Sequence, residues 1–207
     1  MPKFPEPPDV AALAATAPEI KRLAAGTVIW RIYARGGRYS STWNTFRSFG
    51  PTRSRFDHHL PPARRQRRRI LYGATNGSTC FAEYFQDGRT IDRVLNEPWL
   101  VSFELTRHLA LLDLTGAWPT KAGASMAINS GPRPRAQRWS RAIYDAYPAV
   151  EGLWYCSSMD ANRPAVALYE RAKTSLPTKP RFQRALADAA LSAVVKNAGH
   201  RFGYAVV

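Results

Sequence analysis

The spacing of its apolar segments constrains this chain more than any other feature. Thr27–Ala34 (TVIWRIYA), Arg69–Ala74 (RILYGA), Trp99–Leu105, Leu109–Leu114, Gly152–Ser157 (GLWYCS), Ala165–Arg171 (AVALYER) and Tyr204–Val207 are short and rich in β-branched and aromatic residues. Each predicts a strand. Helical patterns fall irregularly among them. They cover residues 8–25 (one or two short helices, broken near Pro18 and closed by Gly26), Ser78–Gln86 with Ser78 as cap, Arg133–Tyr147 stopped by Pro148, and Pro180–His200. Strands outnumber helices and do not alternate with them. That pattern predicts an α+β fold, with a mixed, mainly antiparallel sheet flanked by helices, and not a doubly wound one. A length of 207 residues suits a single domain. The expected division is a helical extension over 1–26 and a main domain over 27–207. Residues 36–68 are dominated by Gly, Ser, Pro and Arg and read as a long irregular stretch, of the kind that carries function.

Charge narrows the class of partner. Thirty Lys and Arg face fifteen Asp and Glu, a net charge of +15. The excess gathers at RRQRRR (64–69), read as an exposed loop, and at RPRAQRWSR (133–141), read as helical with Arg138 and Arg141 one turn apart. Such clusters suit nucleic acid, a phosphate-bearing small molecule or an acidic protein, or simply a solvated surface. No zinc-finger, helix-turn-helix or RNP-type aromatic motif accompanies either cluster. Two cysteines, Cys80 and Cys156, form no disulfide framework and suit a reducing, cytoplasmic setting. The opening MPKFPEPPDV lacks a secretory pattern, and the apolar run Ala185–Val195 is short and carries Asp188, so no membrane span is expected. The P-loop, GxGxxG, HExxH and GxSxG patterns are absent. His58-His59 is an adjacent pair and His108 and His200 stand alone, so no metal site is expected. Cys80 lies in an apolar helical segment and reads as core rather than nucleophile.

What is left is a set of polar residues inside apolar, structured segments. Arg31 sits mid-strand between Trp30 and Ile32, where a charge needs a partner or a cleft. Tyr72 ends the second strand, Glu83 lies on the helix after it, and Ser157 and Ser158 follow LWYC. Singly, each has a structural explanation: a buried Arg31–Glu83 ion pair, a core tyrosine with a hydrogen-bonded tip, a serine-capped turn.

Taken in order, TVIWRIY, GPTRSRFDHH, RILYGATNGSTCFAEYFQ and VEGLWYCSSMDANRPAVALYER resemble the RES-domain family, named for its Arg, Glu and Ser. The resemblance spans about residues 27–171. It implies a fold similar to ADP-ribosyltransferases. It implies a toxin of a toxin–antitoxin pair that acts on NAD as substrate, by hydrolysis, phosphorolysis or ADP-ribosyl transfer to a target protein. An Xre-type antitoxin is the implied partner, with nucleic acid engaged only through it. By the same resemblance the family Arg corresponds to Arg31, the Glu to Glu83, and the Ser to Ser157, with Ser158 its neighbour. The Arg of the Gly-Gly-Arg-aromatic segment corresponds to Arg55, and the strand Tyr to Tyr72. The two glycines before that Arg are replaced by Arg53-Ser54, and the usual following Asn by Asp57. In this role Glu83 would stabilise a ribosyl cation, Arg31 and Arg55 would hold the pyrophosphate, Tyr72 would face the nicotinamide, and Ser157 would hydrogen-bond the carboxamide or ribose. Two other readings stand beside it: an RNA-directed toxin using the Arg clusters, and a non-catalytic binding module with a structural Arg31–Glu83 pair.

Overall fold

Residues 3–207 are described by a computed structural model; Met1 and Pro2, the start of the expected extension, lie outside them. In chain order the elements are α1 (Val10–Ala14), β1 (Ile20–Leu23), β2 (Val28–Ala34), β3 (Arg47–Gly50), β4 (Arg64–Ala74), α2 (Gly77–Tyr84), β5 (Thr90–Ile91), β6 (Pro98–Glu104), β7 (Leu109–Asp113), α3 (Trp118–Lys121), α4 (Arg133–Ala146), β8 (Gly152–Cys156), β9 (Pro164–Tyr169), β10 (Phe182–Ala185), α5 (Ser192–Phe202) and β11 (Ala205–Val206). Nine strands form one sheet in the order β1-β7-β8-β9-β4-β2-β6-β10, with β3 also paired to β4; β5 and β11 make a separate parallel ribbon. Within the large sheet only β7 and β8 run parallel. The α+β, mainly antiparallel architecture is therefore the one the apolar pattern predicts.

Alternation along the strands gives the sheet two apolar faces. One face, with Ile70, Leu112, Leu153, Tyr155 and Ala167, is covered by α4. That helix buries Ala136, Trp139, Ser140 and Ile143, the spacing of a single helical face. The opposite face gathers Ile29, Leu71, Val101, Phe103, Val166 and Leu168 around Trp43 and Trp154. Strands β8 and β9 approach so closely that a Cβ on Gly152 would lie 2.5 Å from the Ala167 carbonyl oxygen, which is why glycine stands there. Between β2 and β4 the ladder is reduced to a single register pair, Trp30 with Ala74. The sheet is split beside Arg31.

Five expectations need correction. RRQRRR is not a loop but the first half of β4. Gln66 and Arg68 turn inward while Arg65, Arg67 and Arg69 stay exposed, the two-residue period of a strand. The long irregular stretch therefore ends early, and it also contains β3. The helix expected over Pro180–His200 exists only as α5. Phe182–Ala185 instead pairs antiparallel with β6, and Phe182 meets the Trp30 ring at 5.8 Å. Residues 8–25 hold only one short helix, capped by Asp9, before Ile20–Leu23 joins β7. In both places sheet pairing overrides a weak helical preference. Lastly, Asn76, not Ser78, caps α2, accepting the Thr79 N–H at 2.9 Å.

Candidate active site

Helix α2 crosses the sheet beside the split and carries Glu83 toward the end of β8. Ser157, the first residue after β8, lies 2.5 Å through Oγ from Glu83 Oε1. The same Oγ accepts the N–H groups of Met159 and Asp160, each at 3.1 Å. A hydroxyl that already accepts two hydrogen bonds has only its own proton left to give. Ser157 therefore donates to Glu83, which fixes the carboxylate's orientation. Glu83 Oε2 has no hydrogen-bond partner among the described residues. Burial raises the Glu83 pKa, while the Ser157 hydrogen bond and the positive charges of Arg55 and Arg133 pull against that rise. Ser158, by contrast, is exposed. Ser157 is the serine that meets the glutamate.

Arg55 reaches the same place from the loop between β3 and β4. Its guanidinium donates to the Gly131 carbonyl at 2.5 Å and lies within the field of Glu83, Tyr155 and Tyr72. The loop is pinned by Asp57, whose side chain is fully buried. Asp57 Oδ2 accepts from Thr52 N at 2.7 Å, Thr52 Oγ1 at 2.9 Å and Arg47 at 3.0 Å; its Oδ1 lies 2.5 Å from His59 Nδ1. From α4, Gln137 donates to the carbonyls of Thr52 and Ser54, and Ser140 to that of Phe56. Tyr72 stands on β4 with its hydroxyl buried and unpartnered, and burial lifts its pKa far above the usual range.

Arg31 occupies a neighbouring position. It makes no ion pair with Glu83 among the described residues. One Nη donates to the carbonyl of Trp43 at 2.9 Å and, at 3.4 Å, to that of Thr45. Its Nε is buried without a partner. Burial pushes its pKa down to about 10, and the nearest ionisable groups are Cys80, Tyr33 and Tyr84. Burial holds Cys80 as a thiol, and the charges of Arg31 and Glu83 both reach it. The structure thus brings Arg55, Tyr72, Glu83 and Ser157 together and sets Arg31 beside them. The structural ion pair considered for Arg31 and Glu83 is not formed.

Two further residues belong to this site. Tyr155 is buried among Glu83, Tyr72, Cys80 and Arg55. Arg133 opens α4, donates to the Gln86 side chain at 2.6 Å and bears on Glu83. The sequence carried a signal for Arg133. A cation in the first turn of a helix opposes the helix dipole, so its position calls for another reason. Two cavities flank the site without being lined by Glu83. One of about 530 Å³ has a mixed lining that includes Met126, Ala127, Asn129, Cys156, Ser158 and Asn162; an apolar one of about 520 Å³ lies between Trp30, Phe81, Phe182 and α5.

The family model for the RES domain matches residues 28–192. The chain belongs to the RES domain family. Among solved structures, a chain of the M. tuberculosis MbcT–MbcA toxin–antitoxin complex superposes with a TM-score of 0.54 at 16% identity, covering 84% of this chain and 90% of that one. At that identity the likeness is one of fold. No curated protein matches the sequence. This RES domain has no helix long and apolar enough to cross a membrane among its described residues.

Proposed function

We propose that this RES domain is the toxin of a toxin–antitoxin pair and that it consumes NAD by breaking the nicotinamide–ribose bond. The observation that carries the reading is the Glu83–Ser157 hydrogen bond, which joins two residues 74 positions apart that the family resemblance singles out. Three buried polar atoms nearby lack partners: Arg31 Nε, Arg47 Nη2 and the Tyr72 hydroxyl. Unpartnered buried groups are costly and gather where a ligand completes them. The fold it shares with a chain of a toxin–antitoxin complex also supports the reading.

In this mechanism the C1′–N bond breaks and its electron pair leaves with nicotinamide. Positive charge grows on the ribose, and the Glu83 carboxylate, aimed by Ser157, stabilises it through Oε2. Tyr72 packs against the nicotinamide ring. Arg55 exchanges its carbonyl partner for the pyrophosphate, which Arg31 also holds. Water, phosphate or a protein nucleophile then takes the ribose carbon. An Xre-type antitoxin holds the toxin inactive, and the cytoplasm, where NAD is present, is its setting.

The direct test incubates the purified chain with NAD and follows nicotinamide by chromatography, with and without phosphate. Release of nicotinamide is expected, with a phosphorylated ADP-ribose product only if phosphate is the acceptor. Intact NAD after many hours would sink the proposal. The pH profile is a second check. kcat/KM falls as pH drops through the Glu83 pKa, which burial places above the ordinary glutamate value of about 4.3. Arg133 favours the carboxylate, so Arg133→Ala raises that pKa and moves the acid limb to higher pH. An acid limb that stays in place would remove Arg133 from the site.

A further inference from the structure

The first half of β4 makes a surface that the NAD reading leaves unused. Strand β4 pairs with β9 only over Ile70–Ala74, and in Arg64–Arg69 only Arg64 and Arg65 have register partners, Gly50 and Phe49 of β3. Gln66 is tied inward to Gly50 and Leu60, and Arg68 to Asp145 and His58. Arg65, Arg67 and Arg69 project from the opposite face, exposed and in no ion pair among the described residues. Residues 66–69 lie in the bulge between the Phe49–Arg65 and Arg47–Ile70 pairs, and their alternating exposure still sets the three cations in sequence along one face. Phe49 of β3 is the register partner of Arg65 and is 45% exposed. An aromatic ring therefore stands beside the row on the same face. The sequence shows no RNP-type aromatic motif with RRQRRR; the β3–β4 pairing sets Phe49 beside it.

We infer that this β3–β4 ribbon binds single-stranded nucleic acid, with Arg65, Arg67 and Arg69 on successive phosphates and Phe49 stacked on a base. A repeating polyanion suits the row better than a folded protein does. Protein interfaces concentrate apolar area at their centre and shed charge there, whereas this face offers unpaired arginines around one ring. Stacking on an exposed ring needs an unpaired base, which favours a single strand over a duplex. Ribose and deoxyribose strands share this chemistry.

The test measures fluorescence anisotropy of labelled (U)20, (dT)20 and a 20-base-pair duplex with the full chain, over a series of salt concentrations. For three phosphate contacts the plot of log K against log salt should have a slope of about −2 on a single strand. Replacing Arg65, Arg67 and Arg69 together by Ala should abolish most of that slope, and Phe49→Ala should weaken binding about tenfold at fixed salt. The exposed control triple Lys173→Ala, Lys179→Ala and Lys196→Ala should bind like the parent, and circular dichroism checks that each variant is folded. The relative affinity for (U)20 and (dT)20 tells which strand is preferred. Equal losses in the control triple would reduce the effect to net charge and overturn the site. So would tighter binding to the duplex, or displacement of the oligonucleotide by decaglutamate at equal charge, which would point to an acidic protein.

Discussion

Glu83→Gln should lower nicotinamide release from NAD about a thousandfold while leaving the fold and the KM nearly unchanged. The amide keeps the size of the side chain, and its carbonyl oxygen still accepts the Ser157 hydroxyl. What it lacks is the negative charge. That charge matters little to bound NAD and greatly to a ribose that is becoming cationic, so the loss falls on kcat. The geometry sharpens the prediction. Ser157 occupies Oε1, so catalysis rests on Oε2, and Ser157→Ala should cost less than Glu83→Gln because it loosens the carboxylate without removing it. Equal rates for Glu83→Gln and the parent in a purified sample would end the catalytic assignment. A KM effect without a kcat effect would make Glu83 a binding residue only.

Asp57→Ala should destabilise the protein by about 3–5 kcal/mol, measured by urea denaturation. Its buried carboxylate is the common acceptor for Arg47 at the start of β3 and for Thr52 and His59 in the loop after it. Removing it leaves those donors facing no acceptor, which costs more than the bonds were worth. The pH dependence follows from the same contacts. Burial alone would raise the Asp57 pKa, but the His59 hydrogen bond and the Arg47 charge hold it well below the usual range. A depressed carboxylate stabilises the fold above its unfolded pKa, about 3.9, and that contribution fades as pH falls toward the folded value. The parent should lose stability below about pH 4, and Asp57→Ala should lose less over the same interval. Some acid sensitivity persists in the variant, because Glu170 is held at about 2 by His58 and Tyr144 against the effect of burial. A stability loss under 1 kcal/mol would mean the loop is held from α4 by Gln137 and Ser140, without help from Asp57. Because this loop carries Arg55, the same variant should also bind NAD more weakly.

Much of the framework was legible because strand segments such as WRIYA and GLWYC are apolar on a scale that needs no context. The errors have physical causes. RRQRRR hides its two-residue period because arginine appears on both faces, and only burial separates Gln66 and Arg68 from Arg65, Arg67 and Arg69. Phe182–Ala185 became a strand because the edge of β6 offered it a partner, a demand not written in its own residues. In the site, the family resemblance named Glu83 and Ser157 without showing that they touch. It named Arg31 without showing that the arginine spends its hydrogen bonds on Trp43 and Thr45 and stays out of an ion pair. Tyr155 looked like ordinary core in GLWYC, and Arg133 like one more charge in a basic helix. Both acquire meaning from what lies opposite them.

The lone Trp30–Ala74 pairing is the thinnest hydrogen-bonded seam of the sheet. Strands β2, β6 and β10 lie on one side of it, and β1, β7, β8, β9, β4 and β3 on the other. Across it the two sides are held by side chains, Ile29, Val101 and Phe103 packing with Leu71, Val166 and Leu168. Arg31 stands on β2, and α2, which carries Glu83, packs against both β2 and β4. A molecule gripped by both residues would tighten this seam, so binding would be felt as slower local opening there as well as a local contact.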